Sequence, residues 1–532
     1  MKRILINAVF LILLAGSFSS CKKTIKNDYL NPETTTTGSM SKLLTGMFLN
    51  PRIHPSYYDF ATFVLPTTAA FSQLTAISPG TSMYIPSINY NEARWDHYYN
   101  GSMPTDPNQT PDYNYAGPGI LNSYREMQTT YAALSAVEQA KQYVFLQCAK
   151  VILYDQTAQM VDLWGDIPFS KANSLNTATR TVIDASFDDA AAIYDTLITG
   201  LKDLNNYFDT VAVANETQAS LTKQDILLGG DITWWRRYAN SLRLRLLMRT
   251  SYYDETTAKT EVTTMLADPT TYPLITGNTY NVTLKMSGLS LKSDLKDALT
   301  LSPFAPAYLL DTLMVNNSDP RTAVLWDSAQ GSSYKGFPSN GTVSDYEGGK
   351  GVYATYDTVT FMYNYNVPGV LFTAAEVSFL TAEANERWGA GSTPAATAYA
   401  NGIHQSTDFY YGINQSTNLS TGSWATTASP ASSAVDAYIA NVAYTGTTAQ
   451  KLALIATQNW INFFILQAGQ AWAEVRRTGY PALPFFTSTN GNALLPPTRL
   501  LYPPNEQLYN GTNYAAVSAK DTRSTKIFWQ VK

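Results

Sequence analysis

Apolar residues recur at helical spacing in four separate stretches, and this repeated 3.6-residue rhythm most restricts what the chain can fold into. Trp235, Tyr238, Ala239, Leu242 and Leu246 fall on one face. Phe187, Ala191, Tyr194, Ile198 and Leu201 follow the same rhythm, with Asp184 and Ser186 as candidate N-caps. Val377, Leu380, Ala384 and Trp388 make a third stripe. Phe464, Ala468, Ala471, Trp472 and Val475 make a fourth, stopped by Gly479 and Pro481. These stripes predict a mainly α fold.

The stretch from Val377 to Ile403 reads as helix, small-residue turn, helix, the close antiparallel pairing of tetratricopeptide-type repeats. Helix pairs are expected near residues 121–164, 185–250, 373–411 and 447–478. Between them, Gly-, Asn-, Ser-, Thr- and Tyr-rich insertions are expected near 80–118 and 315–369. Insertions of that length inside one body are usually functional or hold short strands. No linker cuts the chain, so one continuous body over 41–532 is expected.

Composition narrows the function classes. The 532 residues are 45% hydrophobic, ordinary for a globular chain, and hold no unbroken apolar run of transmembrane length. A net charge of −5 speaks against a nucleic-acid surface. The 36 tyrosines equal all Lys and Arg together, and 10 tryptophans join them. Such a surface suits neutral polar ligands better than ions.

The N-terminus supplies an address. Met1-Lys2-Arg3 is a basic head, and Ile4–Leu14 is an apolar segment too short to span a bilayer. Phe18-Ser19-Ser20-Cys21 resembles a bacterial lipobox, which would make residues 1–20 a signal peptide and Cys21 the lipidated N-terminus. The polar segment 21–40 reads as a tether. The other cysteine, Cys148, shares a helical face with Val144, Val151 and Ile152 and is expected in the core.

Catalytic and metal signatures are not found in the sequence. His54, His97 and His404 have no metal-ligand spacing, and no nucleophile elbow, P-loop or dinucleotide fingerprint occurs in context. Arg236, Arg237, Arg243, Arg245 and Arg249 crowd one amphipathic helix. We read them as partners of acids on neighbouring helices, with Glu376 and Glu383 as candidates.

The motifs, taken in order, resemble the SusD/RagB outer-membrane lipoproteins, second SusD-like subgroup. Tyr29-Leu30-Asn31-Pro32 follows the tether, then Trp95-Asp96-His97-Tyr98-Tyr99. Asp162-Leu163-Trp164-Gly165-Asp166-Ile167-Pro168-Phe169 is similar to the family's "D-x-x-G-D-I-P-[YF]" segment. Gly230-Asp231 with Trp234, and Ala239-Asn240-Ser241-Leu242-Arg243-Leu244-Arg245, come next. Asp319-Pro320-Arg321, Tyr334-Lys335-Gly336-Phe337-Pro338, Ala375-Glu376-Val377 and Ala382-Glu383-Ala384 follow. Glu474-Val475-Arg476-Arg477-Thr478-Gly479-Tyr480-Pro481 precedes a last segment with Arg499, Tyr502-Pro503, Glu506 and Asn510.

The resemblance implies tetratricopeptide-like pairs in a right-handed superhelical scaffold with a few short strands. It implies a non-enzymatic nutrient-binding protein, palmitate-anchored on the outer membrane and facing the exterior. Such a protein captures oligosaccharides for a SusC-like TonB-dependent transporter. A peptide-binding member of the same import system, an extracellular carbohydrate-active enzyme and a protein-binding adaptor are the alternatives. No cofactor, metal or nucleic acid is expected. Flat rings stack on the C–H faces of sugars, so the expected platforms are Trp95, Tyr98 and Tyr99 in the first insertion, with Tyr113 and Tyr115 nearby. In the second insertion they are Trp326, Tyr353 and Tyr363, with Tyr346 and Tyr356 beside them.

Overall fold

A chain with this many amphipathic stripes must bury them against one another, and the computed structural model shows how. It describes residues 39–80, 83–101, 117–174, 184–286, 292–331, 333–419, 425–485 and 494–532. The expected signal peptide, the lipidated Cys21, most of the tether, Tyr113 and Tyr115 lie outside these residues.

Helix α1 (Met40–Phe48) leads into a π-helical turn at Phe60–Ala69, then α2 (Ile88–Tyr99). An antiparallel pair follows, α3 (Ile120–Ala132) and α4 (Ala136–Trp164). Ser135 starts α4 by accepting the Glu138 amide, and Gly165 ends it at φ 78°, a conformation that suits glycine. Next come α5 (Ala190–Thr210), α6 (Asn215–Gln224), α7 (Ile232–Thr250) and α8 (Glu255–Ala267). The C-terminal half holds α9 (Ala374–Trp388), α10 (Ala395–Gln415), α11 (Ser432–Asn441), α12 (Thr448–Phe463) and α13 (Ala468–Thr478).

Two local details differ from the sequence reading. α5 is capped by Asp189, whose carboxylate accepts the Ala191 and Ala192 amides, and not by Asp184 or Ser186. The reason is strand β2 (Phe187–Asp188), which pairs antiparallel with β1 (Ile167–Pro168) and holds the chain extended up to the cap. Within the expected first insertion, residues 88–99 are helical as α2.

Small antiparallel ladders tie the insertions down. β3 (Val282–Leu284) pairs with β6 (Gly369–Phe372), and β4 (Trp326–Asp327) pairs with β5 (Thr355–Tyr356). The large core runs from α1 through α8 and takes in Trp472 and Trp529. A second core joins Phe60, Leu309, Trp326, Tyr410 and Phe464, and a third sits between α9 and α12 around Phe379, Tyr399 and Tyr438. Cys148 is fully buried, and burial pushes its thiol well above the ordinary range. The result is one mainly helical body, as expected from the stripes.

A chain of buried ion pairs runs between these helices. Arg245 on α7 grips Glu376 on α9 through Nε (2.5 Å) and Nη2 (2.6 Å), and Asp155 on α4 through Nη1 (3.0 Å). Burial alone would lower this guanidinium, but Glu376 and Asp155 hold it above its usual range. Arg249 donates to Asp162 (3.0 Å) and Gln470 (2.8 Å). Glu383 is held by Arg477 (2.5 Å) and Arg387 (3.2 Å), not by the α7 arginines. Arg243 pairs with Glu261, and Arg236 with Asp209. The family motifs thus meet in space, with acids and arginines of α4, α7, α9 and α13 neutralising one another.

The C-terminal segment closes the same region. Leu500 donates its amide to Leu163 (2.8 Å), and Trp164 Nε1 donates to Leu501 (3.0 Å). The Tyr502 hydroxyl donates to the Asp166 carbonyl at 2.6 Å. No helix among the described residues is long and apolar enough to cross a membrane.

Candidate functional site

The expected aromatic platforms do not converge. Trp95, Tyr98 and Tyr99 lie on α2 and are buried. The Trp95 ring packs edge-on to Trp164 at 5.2 Å and against Tyr99 at 4.9 Å. The Tyr98 hydroxyl bonds Thr157 (2.7 Å), and that of Tyr99 donates to the Pro168 carbonyl (2.7 Å). Trp326 is buried in the second core, stacked on Tyr356 at 5.0 Å and edge-on to Phe464 at 5.2 Å. Tyr353 is buried against Phe304 and Phe337. Tyr363 alone is exposed, with Lys296 Nζ 4.7 Å from its ring centre. Most of these ring faces are already covered by protein, as expected where bulky rings anchor long insertions to the body.

The segments that lead into the two insertions nevertheless meet. The Ala76 amide donates to Phe304 (3.0 Å), the Thr75 hydroxyl to Ser302 (3.1 Å), and the Tyr346 hydroxyl to Ala76 (3.3 Å). Phe337 is threaded in by two backbone bonds, its amide to Ala305 (2.7 Å) and the Ala307 amide to its carbonyl (2.9 Å). Gly336 permits this approach, because a Cβ there would lie 2.4 Å from Ala307 Cα. The motif Lys335-Gly336-Phe337-Pro338 therefore works as a backbone crossing that seats one ring.

Between these segments lies a shallow cleft that opens to solvent. Its walls include Gln73, Met83 and Tyr84 on one side, and Tyr308, Phe337 and Ser339 on the other. Phe337 is fixed from behind by Phe304, Tyr346 and Tyr353, with ring centres 5.2–6.3 Å away. Tyr84 is braced edge-on by Phe485 at 5.5 Å. Tyr308 remains half-buried. Every one of the lining residues is uncharged.

Gln73 adopts φ 50°, a left-handed conformation that costs a non-glycine residue about 1–2 kcal/mol. Such strain persists where surrounding structure holds it, often at binding sites. Burial pushes the Tyr84 hydroxyl up to about 12, with the Gln73 side chain opposing. Burial also raises Tyr308. Both phenols thus stay protonated at neutral pH, able to donate and accept. The cleft therefore offers ring and aliphatic faces with a rim of neutral hydroxyl and amide groups.

A second cleft, of about 1010 Å³, is bordered by Trp95 and Tyr99 and differs in chemistry. Glu92, Asp96, Asp184 and Glu506 line it with Lys171. Among the described residues, no group of three or more His, Cys, Asp or Glu could hold a metal ion.

Of the neutral cleft, sequence reasoning had flagged the Tyr334–Pro338 motif but not Gln73, Tyr84 or Tyr308 as lining. The available signal was Tyr84 just beyond Gly80 in an insertion; nothing marked Gln73 or Tyr308.

Comparison with known proteins places this geometry. Residues 40–503 match a family model, SusD-like, described as starch-binding and associating with the outer membrane. No curated protein sequence matches the chain. Among solved structures, a chitin-binding protein superposes with a TM-score of 0.72 at 21% identity, covering 93% of this chain and 100% of the other. A SusD homologue from Bacteroides fragilis gives 0.69 at 17% identity, over 92% and 100% of the two chains. A chitin-binding SusD homologue from Flavobacterium johnsoniae gives 0.67 at 20% identity, over 93% and 99%.

Proposed function

The chain belongs to the SusD-like family of outer-membrane-associated proteins, and from that premise we propose that it captures neutral oligosaccharides in the cleft lined by Gln73, Tyr84, Tyr308 and Phe337. One observation supports this above the rest: an uncharged, ring-walled cleft built jointly by residues 73–84 and 306–339 on a rigid helical scaffold. Sugar rings present apolar C–H faces and a rim of hydroxyls. Half-buried Tyr308 offers a face, with the buried rings of Tyr84 and Phe337 as backing, and Gln73, Ser339 and the Tyr308 hydroxyl match the rim. A charged ligand would find no counter-ion among these lining residues.

The protein acts by holding its ligand and passing it on without altering it. Each ring contact contributes on the order of 0.5–1.5 kcal/mol, so a few of them give micromolar to millimolar affinity, suited to capture and release. In this reading Cys21 bears the lipid that moors the protein to the outer membrane. The receiver is a TonB-dependent transporter of the SusC type.

Calorimetry with chito-oligosaccharides and malto-oligosaccharides tests the proposal. At least one series is expected to bind and to be recovered unchanged. Tyr308→Ala should weaken that binding about 3- to 10-fold, the equivalent of one lost ring contact. Its melting temperature should stay close to the wild-type value, because Tyr308 is only half-buried. Absence of binding across a neutral glycan array, or release of hydrolysis products, overturns the reading.

A further inference from the structure

A separate cleft, of about 860 Å³, lies where the 51–55 segment, the π-helical turn, α2, α4, β6 and the start of α13 converge. Arg52, His54, Asp59 and Arg94 line it together with the apolar side chains of Phe60, Phe63, Val64 and Leu466. Half-buried Val64, Gln159, Pro368 and Leu466 mark where it meets solvent.

The charges around this cleft balance in number, but they are not all paired directly. Asp59 is taken by Arg94, with Nη1 to Oδ1 at 3.0 Å. Asp162 is taken on its far side by Arg249 (3.0 Å). Asp155, two turns back on α4, is held by Arg245, which also carries Glu376. Arg52, only 7% exposed, makes no ion pair among the described residues and feels Asp59 and Asp155 only at a distance. Its Nε donates to Gln156 (2.9 Å) and its Nη1 to the Arg94 carbonyl (3.0 Å), but Nη2 has no partner among the described residues. Arg94 Nε and His54 Nε2 are likewise unmatched.

Arg476 is the instructive contrast. It too is buried without an ion pair to a carboxylate, yet its three guanidinium nitrogens donate to the carbonyls of Trp472, Thr498 and Asp162. The fold thus completes one guanidinium and leaves the other a donor short at a cavity wall. A buried donor left unsatisfied bears its full desolvation penalty, so Nη2 calls for a partner from outside.

We propose that this cleft binds an organic carboxylate, with Arg52 Nη2 and Arg94 Nε as donors and the Phe60, Phe63 and Leu466 side chains against its apolar body. The guanidinium fork matches the planar carboxylate. The cavity is much larger than a single inorganic ion needs, and its apolar wall fits the rest of a small acid. The carboxylate could belong to an acidic sugar or to a peptide end. This inference does not depend on the neutral-glycan reading, since the two clefts share no residue.

The test is a thermal-shift series at fixed ionic strength with glucuronate and N-acetylalanine, against glucose and N-acetylalaninamide as uncharged counterparts. At saturation, at least one acid is expected to raise the melting temperature by about 2 °C or more, through mass action on the folded state. Its neutral counterpart should give no shift, and Arg52→Gln should abolish the effect. Whichever acid acts identifies the source of the carboxylate. No shift with either acid, or equal shifts in wild type and Arg52→Gln, overturns the proposal. Should Arg52→Gln not fold, a wild-type crystal soaked in 4-bromobenzoate decides: a bromine anomalous peak in the cleft upholds the site, and a cleft holding only water refutes it.

Discussion

Asp96 and Glu383 are both carboxyls drawn out of water, and their neighbours drive them in opposite directions. Burial, then Glu92 and Glu506, push Asp96 from the ordinary 3.8 up to about 6. The folded state therefore holds a proton that the unfolded chain would release, and ionised Asp96 opposes folding at neutral pH. Asp96→Asn should raise the melting temperature at pH 7.5, with the gain shrinking as pH falls through 6 and gone near pH 4. For Glu383 burial also pushes upward, but Arg477 and Arg387 outweigh it and hold the carboxyl below its usual range. Its contribution is present at neutral pH and is lost as pH falls through that lowered value. Glu383→Gln should cost about 3 kcal/mol by chemical denaturation at pH 7, with a smaller deficit in acid. At this scale the sequence was partly legible. Four of the five arginines crowded on α7 meet acids, Glu376 meeting Arg245 as read, while Arg237 instead donates to the Leu274 carbonyl (2.7 Å). Glu383 instead meets Arg477, because α13 delivers that guanidinium and no spacing along the chain records how α13 crosses α9.

Between elements, two glycines of α10 give a matched pair of expectations. At Gly402 an added Cβ would lie 2.6 Å from the Phe379 ring, so this glycine lets α9 and α10 close on each other. Gly412, on the same helix, is exposed with nothing within 4 Å of where a Cβ would stand. Gly402→Leu should therefore destabilise by about 2–3 kcal/mol through overpacking. Gly412→Ala should stabilise by about 0.5–1 kcal/mol through helix propensity and a less free unfolded chain. Urea unfolding of the two variants checks both signs. The close α9–α10 pair was readable because one face of each helix is apolar and small. α2 was not, and its burial explains why. Asn91, Arg94 and His97 are as buried as Trp95 and Tyr98, since Asp59 holds Arg94 and Asn50 donates to the His97 carbonyl. A helix wrapped by polar partners on its polar side leaves no amphipathic period to detect.

For the whole molecule, the sequence showed that two aromatic insertions interrupt a helical scaffold, but not which rings face outward. Loops have no period that sorts inward from outward side chains. In the second insertion, Trp326 and Tyr356 turn onto each other and onto Phe464. What remains at the junction is Tyr84, Tyr308 and Phe337, brought into one cleft from more than 220 residues apart in the chain. A ligand held there would bridge two segments joined by the bonds at Thr75, Ala76 and Tyr346 and by the packing of Ala76 against Phe304 and Phe337. The helical cores are already closed by buried ion pairs and have little protection left to gain. Hydrogen exchange with a bound glycan should accordingly slow amides near residues 73–77, 83–86, 304–308 and 335–339 together, leaving α4, α7 and α9 unchanged. Slowing on one side only would place the ligand elsewhere, and slowing across the scaffold would mean that binding reorganises the helix pairs instead of docking onto them.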